Sequence, residues 1–293
     1  MKLCAPVYYK NFKCIAQGCE HSCCIGWEID IDEKSLKKYR RLKGGYGAVV
    51  RNSISTAGTP HFKLGNGDRC PHLDARGLCK IILTLGEDYL CDICREHPRF
   101  YNYTDAVEVG LGMSCPEAAR IILSTPDYTA MEELGEVCIE VDGVAFDGRT
   151  ERGKIYEILR GGGSYSERLF KIYAEYQISV GDDAVWLERI GALEYLNEEH
   201  KERLMKYSSK SRPEGADEYL ERFLAYFVYR HCTEAVDRED LSVRLGFCLF
   251  CERLLASLIC AEGAGTLSEV AALCGMISEE IEYSDDNTAM LME

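Results

Sequence analysis

FKCIAQGCEHSCCIGWEIDID, residues 12–32, holds cysteines at positions 14, 19, 23 and 24. Five more follow along the chain, at Cys70, Cys79, Cys91, Cys94 and Cys115. Thiolates are soft ligands, and four of them suit either a tetrahedral zinc ion or the irons of an iron–sulfur cluster. These nine cysteines therefore predict a metal site, and their spacing alone leaves the choice between zinc and iron–sulfur open.

The composition is that of a globular protein with many thiols. The chain has 293 residues, 46% of them hydrophobic, which is ample for a buried core, and it contains 16 cysteines. No signal-peptide pattern and no apolar run of membrane-spanning length stands out, so we expect a cytoplasmic protein that neither enters nor crosses a membrane. Thiols stay reduced in the cytosol, and clustered cysteines there indicate metal or redox chemistry rather than disulfides.

Charge divides the chain into two parts. Residues 1–125 contain 17 Lys and Arg against 14 Asp and Glu, whereas residues 126–293 contain 17 against 35. We therefore predict a cysteine-cluster metal-binding region over 1–125 and an acidic helical region over 126–293. The acidic part repels phosphate backbones, which argues against a nucleic-acid partner, and it attracts lysine-bearing surfaces.

The first part predicts an irregular region with short elements. Residues 27–32 alternate apolar and acidic side chains, the pattern of a half-buried strand. Asp32 is placed to cap a helix through Leu36 and Tyr39, which we expect Gly44 and Gly45 to end. Residues 52–69 are typical of a loop or hairpin, and residues 116–123 of a helix with a proline in its first turn.

The second part predicts helices from about residue 151 onward. Apolar side chains recur at helical spacing over 166–178 and 219–228, and residues 245–259 are apolar almost all round, as in a buried helix. Cys248 and Cys251 lie in that run, where we interpret them as core residues. The predicted fold class is mainly α, with an irregular cysteine-rich metal-binding N-terminal region carrying short strands and a helical C-terminal region.

Several ordered motifs resemble the flagellin lysine-N-methylase family. The matching segments are Phe12-Lys13-Cys14, Cys19, SCCIGWEIDID at 22–32, CPHLDARGLCKI at 70–81, LGEDYLC at 85–91, Cys94-Arg95, Pro98-Arg99 and SCPEAAR at 114–120. They are also similar to a broader superfamily of zinc- or iron-chelating cysteine-cluster proteins.

The resemblance implies an S-adenosylmethionine-dependent protein-lysine N-methyltransferase. Its substrate would be flagellin, and a [4Fe–4S] cluster would be involved, with zinc as the alternative metal. The expected ligands are Cys19, Cys23, Cys79 and Cys94 first, then Cys24, Cys70, Cys91 and Cys115. An open iron could hold the amino and carboxylate groups of S-adenosylmethionine. The alternatives are a non-catalytic structural or chaperone-like metal-binding module, and a redox protein. No catalytic base and no S-adenosylmethionine-binding residue can be named.

Charged residues beside the cysteines have two interpretations. Arg95, Arg99 and Arg120 could screen a thiolate cluster or bind a carboxylate, or they could form ordinary ion pairs. His72 and His97 could be ligands, but the supply of cysteines is already sufficient. We therefore expect both histidines to be structural.

Overall fold

The computed structural model describes residues 1–19, 21–139, 146–179 and 181–293. The strands are β1 Lys2–Pro6, β2 Ile54–Ser55, β3 His61–Phe62, β4 Arg99–Tyr103, β5 Val107–Leu111 and β6 Met131–Glu136. The helices are α1 Glu33–Arg40, α2 Gly44–Asn52, α3 Lys80–Leu85, α4 Asp92–Glu96, α5 Pro116–Ser124, α6 Gly148–Leu159, α7 Tyr165–Glu175, α8 Asp183–Ala192, α9 Glu198–Leu204, α10 Asp217–Phe227, α11 Arg238–Glu262, α12 Leu267–Ile277 and α13 Asp285–Met292. The mainly helical prediction is confirmed.

The chain forms two compact units. The cysteine unit is Lys13–Arg99, and the helical unit is Met1–Phe12 together with Phe100–Glu293. These limits differ from the predicted division at residue 125. The reason is a four-stranded sheet in the order β4-β5-β1-β6, in which β1 runs parallel to β5 and antiparallel to β6. Strand pairing therefore places the first residues of the chain in the same unit as residues far along it.

Helix α11 is the centre of the helical unit. Its side chains from Phe247 to Ile259 are buried on every face, as the apolar run predicts. Cys248 and Cys251 are both fully buried there, which confirms their interpretation as core residues. No described helix has the length and apolar character needed to cross a membrane.

Buried charges in the helical unit are paired where elements meet. Arg152 of α6 donates to both carboxylate oxygens of Glu108 in β5, at 2.5 and 2.9 Å. After α10 the chain makes a π-helical turn over Val228–Cys232, and a second such turn covers Ser278–Glu282. Glu282 in the second turn accepts a hydrogen bond from Tyr226 at 2.9 Å and contacts His231 of the first turn at 2.8 Å. The two turns are thereby joined through one buried carboxylate.

The cysteine unit has a small apolar core of its own. Ile29 and Ile31 are each only 3% exposed, so the predicted alternation of burial over residues 27–32 is confirmed. The segment nevertheless forms only an isolated bridge, from Asp30 to His61, rather than a regular strand. Its backbone instead bonds to the chain beside the β2–β3 hairpin, where Ile31 N–H donates to the Pro60 carbonyl at 2.7 Å.

Helix boundaries in the cysteine unit follow the capping prediction at one end only. Asp32 caps α1, because its carboxylate accepts a hydrogen bond from Ser35 N–H at 2.8 Å. The prediction that Gly44 and Gly45 end this helix is wrong: α1 ends at Arg40, and the two glycines begin α2. Gly44 has φ of +84°, a conformation that glycine adopts without a steric penalty, so it turns the chain between two helices.

We expect Asp32→Ala to lower the free energy of unfolding of the cysteine unit by about 1–2 kcal/mol. The Asp32 carboxylate bonds both to Ser35 N–H and, at 2.9 Å, to Asp92 N–H at the start of α4, so its loss releases two helix ends. Urea denaturation measures the change. The matched control is Asp30→Ala, since Asp30 is exposed; equal effects of the two substitutions would contradict this account of the cap.

Candidate metal centre

Backbone hydrogen bonds bring the two cysteine-bearing segments of the cysteine unit together. Cys70 N–H donates to the Cys24 carbonyl at 2.8 Å, and Ile25 and Arg69 form an antiparallel bridge beside them. As a result the thiols of Cys23 and Cys70 both hydrogen-bond the thiol of Cys24. Residues 46 positions apart in the chain thus meet through sulfur.

The loop from Cys70 to Cys79 is held by its own turn. The Asp74 carboxylate accepts hydrogen bonds from Arg76 N–H at 2.8 Å and from Leu78 N–H at 2.9 Å. A bridge between Leu73 and Cys79 closes the loop and carries Cys79 back towards Cys70. The Asp74 turn therefore stabilises the loop conformation that brings Cys79 near Cys70.

Cys91 and Cys94 form a second sulfur contact. Cys91 directly precedes α4 and Cys94 lies within it, and their side chains are hydrogen-bonded to each other. The hydrogen bond to Cys91 and burial raise the pKa of Cys94, and the neighbouring Cys70 and Cys79 thiols raise it further. Cys94 is therefore close enough to Cys70 and Cys79 for negative charge on those thiols to raise its pKa.

Six thiols accordingly gather within the cysteine unit. We call them the six-thiol group: Cys23, Cys24, Cys70, Cys79, Cys91 and Cys94. Burial raises the pKa of Cys79, as does negative charge on Cys70 and Cys23. By contrast, the hydrogen bond from Cys24 lowers the pKa of Cys23 and of Cys70 to about 7. Two members of the group therefore take the thiolate form readily, and thiolates are the form that binds metals.

The chemistry of the six-thiol group fits a soft metal. Six sulfur donors exceed the four that a zinc ion or an iron–sulfur cluster needs. The thiols contact one another in pairs, Cys24 with Cys23 and Cys70, and Cys91 with Cys94. Within the described ranges, no three His, Cys, Asp or Glu side chains have their donor atoms placed around a single point that could hold a metal ion.

The remaining candidate cysteines have other surroundings. The Cys19 thiol donates to the His21 carbonyl at 2.5 Å. Cys14 is exposed, and its sulfur accepts a hydrogen bond from Ala16 N–H at 3.4 Å. Cys115 belongs to the helical unit, where it directly precedes α5.

His72 is a structural residue, as predicted from the sequence. Its side chain is fully buried, and its two ring nitrogens contact the Tyr46 hydroxyl at 3.1 Å and the Ser53 hydroxyl at 2.9 Å. Burial lowers the pKa of His72 to about 4, so the ring is neutral at physiological pH. His97 packs against the Trp27 ring at 5.9 Å, and burial likewise lowers its pKa to about 4.

Two of the arginines beside the cysteine motifs form local ion pairs. Arg95 pairs with Asp92 at 2.5 Å, three residues earlier on α4. Arg120 makes two hydrogen bonds of 2.7 Å to the Glu117 carboxylate on α5. These contacts favour the structural interpretation over the binding of a carboxylate ligand.

Two tyrosines beside the six-thiol group were not singled out from the sequence. The Tyr39 hydroxyl donates to the Tyr89 carbonyl at 2.6 Å and also hydrogen-bonds Cys91. Burial, together with the nearby Cys79 and Cys70, raises the pKa of Tyr46 to about 12. The helical spacing that places Tyr39 with Leu36 indicated only a core position.

Comparison with known proteins identifies relatives. Lysine-N-methylases of Salmonella choleraesuis and Salmonella typhimurium are each 31% identical to the chain over 137 residues, covering 44% of this chain and 34% of theirs. The flagellar biosynthetic protein FliU of Salmonella muenchen is 31% identical over 139 residues, covering 44% of this chain and 80% of FliU. The chain belongs to the lysine-N-methylase family that includes FliU.

The similarity covers only part of the length of these relatives. The matched region covers about a third of the length of the two Salmonella lysine-N-methylases. No family model and no solved structure matches the chain. The suspected resemblance to flagellin lysine-N-methylases is thus confirmed at the level of the family.

We expect Cys70→Ser to remove most of the metal from the purified protein, because Cys70 hydrogen-bonds Cys24 and lies near Cys79 and Cys94. Metal analysis and absorption spectra of anaerobically purified protein measure this, and iron with sulfide distinguishes a cluster from zinc. The matched control is Cys14→Ser, which removes an exposed thiol from the same unit. Equal metal content in both variants would contradict a centre built on the six-thiol group.

Proposed function

We propose that the chain is a protein-lysine N-methyltransferase that acts on flagellin and uses S-adenosylmethionine. The observation that carries this proposal is the 31% identity to FliU over 80% of its length, together with the 31% identity to two lysine-N-methylases. We further propose that the six-thiol group holds an iron–sulfur cluster, since soft sulfur donors from three loops of the chain lie together there.

A cluster at the six-thiol group would have a structural consequence for the cysteine unit. This unit of 87 residues has short helices and a two-stranded hairpin around a small apolar core. Metal coordination can supply folding free energy that such a core lacks. Cysteines 23 and 24, 70 and 79, and 91 and 94 would then bind three loops to one centre and keep Tyr39 and Tyr46 in place beside it.

Lysine methylation sets a requirement that protein residues must meet. S-adenosylmethionine supplies an electrophilic methyl group, and only the neutral lysine amine can accept it. A lysine in water has a pKa of about 10.4, so the enzyme must favour loss of the ammonium proton. Surroundings that exclude water lower a lysine pKa, and a carboxylate or tyrosinate can take the proton.

The charge of the chain suits a lysine-bearing substrate. The helical unit holds 20 Lys and Arg against 38 Asp and Glu, a net charge of −18, whereas the cysteine unit holds 14 against 11, a net of +3. Long-range attraction between an acidic surface and a cationic one accelerates encounter, and salt weakens it. We therefore propose that the helical unit attracts flagellin segments rich in lysine.

The direct test incubates the anaerobically purified protein with flagellin and S-adenosylmethionine carrying a labelled methyl group. We expect label on lysine side chains, located by mass spectrometry of flagellin peptides, with a rate that falls as salt is added. The matched substrate control is flagellin with its surface lysines replaced by arginine. Metal-loaded protein that transfers no label to lysine would instead support a non-catalytic metal-binding module or a redox protein.

A further inference from the structure

An unusual set of buried polar groups surrounds the middle of α11. Glu252 is 1% exposed and Arg253 is 3% exposed, although both carry ionisable side chains. In the part of the chain that the structure describes, several buried polar atoms here have no hydrogen-bond partner: Glu252 Oε2, Arg253 Nε and Nη1, the Tyr207 hydroxyl and Trp186 Nε1. Buried polar groups are nearly always paired, so such a concentration requires an explanation.

Aromatic rings connect these atoms into one neighbourhood. Trp186 of α8 stacks on Phe250 of α11 with ring centroids 3.9 Å apart, and Tyr207 packs on the same ring at 5.3 Å. Tyr165 of α7 donates to the other Glu252 oxygen at 3.1 Å. We call this neighbourhood the Glu252–Arg253 site.

The two charged residues do not satisfy each other. Among the described residues, no ion pair within 4.0 Å joins Glu252 to Arg253. The positive charges of Arg212 and Arg253 nevertheless act on Glu252, and Arg253 hydrogen-bonds Tyr173. Burial raises the pKa of Glu252 to about 7. An arginine remains charged at all physiological pH values, and leaving it buried without an anion is strongly unfavourable. Two guanidinium nitrogens of Arg253, Nε and Nη1, therefore remain without an acceptor in the described part of the chain.

A loop over residues 205–216 provides the cover. It joins α9 to α10 and contributes Tyr207 to the site. A few polar contacts hold it: Ser208 exchanges two hydrogen bonds with Ser257 of α11, at 3.0 and 2.9 Å, and Ser209 N–H donates to Asp183 at 3.2 Å. Tyr207 of this loop is only 4% exposed, so the loop would have to move for a small molecule to reach Arg253.

We propose that the Glu252–Arg253 site binds the α-amino-acid end of a small molecule, with the carboxylate on Arg253 and the ammonium on Glu252. The inference rests on the proposed function, and it identifies the ligand as the methionine end of S-adenosylmethionine. Charge-assisted hydrogen bonds to both groups would satisfy the unpaired donors and the unpaired acceptor together.

Calorimetric titration with S-adenosylhomocysteine tests the site on the whole chain. We expect Arg253→Met to weaken binding by about tenfold or more, because a hydrogen-bonded ion pair with the carboxylate is lost. Removing a buried, unpaired guanidinium should leave the ligand-free protein at least as resistant to heat. The matched control is Arg238→Met on the same helix, whose side chain is 72% exposed, and it should bind normally.

The Glu252→Gln variant and free methionine as a competing ligand test the site without relying on the Arg253 substitution alone. Glu252→Gln keeps the side-chain shape and should also weaken binding of S-adenosylhomocysteine, because the ammonium loses its counter-charge. Free methionine in excess should compete with S-adenosylhomocysteine for the wild-type protein, since it carries the same end. Failure of methionine to compete would overturn the assignment of the amino-acid end.

The outcomes separate this inference from the proposed function. Equal affinities of the wild-type, Arg253→Met and Glu252→Gln proteins would show that the unpaired atoms bind only internal water, and would overturn the site while methyl transfer stands. Loss of binding in Cys70→Ser but not in Arg253→Met would place the amino-acid end at the six-thiol group instead. Binding that depends on Arg253 without methyl transfer would overturn the function and retain the site.

Discussion

The contact between the Cys23-Cys24 segment and Cys70 is the interaction on which the cysteine unit depends. Backbone pairing aligns two loops that lie 46 positions apart in the chain: Cys70 N–H donates to the Cys24 carbonyl, and Ile25 and Arg69 form a bridge beside this bond. This alignment brings the thiols of Cys23 and Cys24 near those of Cys79, Cys91 and Cys94. A metal bound across the two segments would fix them at a free-energy gain that the small apolar core cannot supply.

The helical unit differs from the cysteine unit, because its large core contains buried charged side chains that need partners. Glu108 is satisfied by Arg152, and Glu282 by Tyr226 and His231. Glu252 and Arg253 differ from these, since each retains an unpaired atom and neither has an ion pair within 4.0 Å among the described residues; Arg168 and Glu132 also retain an unpaired atom, but each has an ion pair. The absence of an ion pair at two adjacent buried charges is the basis for assigning them a ligand.

Local sequence signals predicted local structure well. Asp32 was identifiable as a cap because Asp is favoured where a helix begins, and the buried helix α11 was identifiable because its apolar run leaves no polar face. Gly44 was misjudged, since a glycine with positive φ can separate two helices as readily as it ends one. The pairing of β1 with β5 could not be predicted, because short strands carry no signal for partners about a hundred residues away.

At the candidate metal site, too, the contacts between residues far apart in the sequence could not be predicted. Cysteine spacing predicted a metal site, but Cys23, Cys24 and Cys70 come together through backbone pairing that spacing does not encode. Cys115 resembled the others in its motif, yet strand pairing places it in the helical unit. Tyr39 and Tyr46 flank the thiols although nothing in their own sequence surroundings marks them. Glu252 and Arg253 were hidden in an apolar run, where a charged pair is visible but its lack of partners is not.

X-ray absorption at the metal edge of the anaerobically purified protein tests the central claim most directly. A centre shared by the two cysteine segments predicts a first shell made of sulfur at about 2.3 Å. Replacing Cys24 or Cys70 with serine should remove sulfur from that shell or abolish the signal. A first shell of oxygen and nitrogen, or a sulfur shell that survives both replacements, would contradict the account.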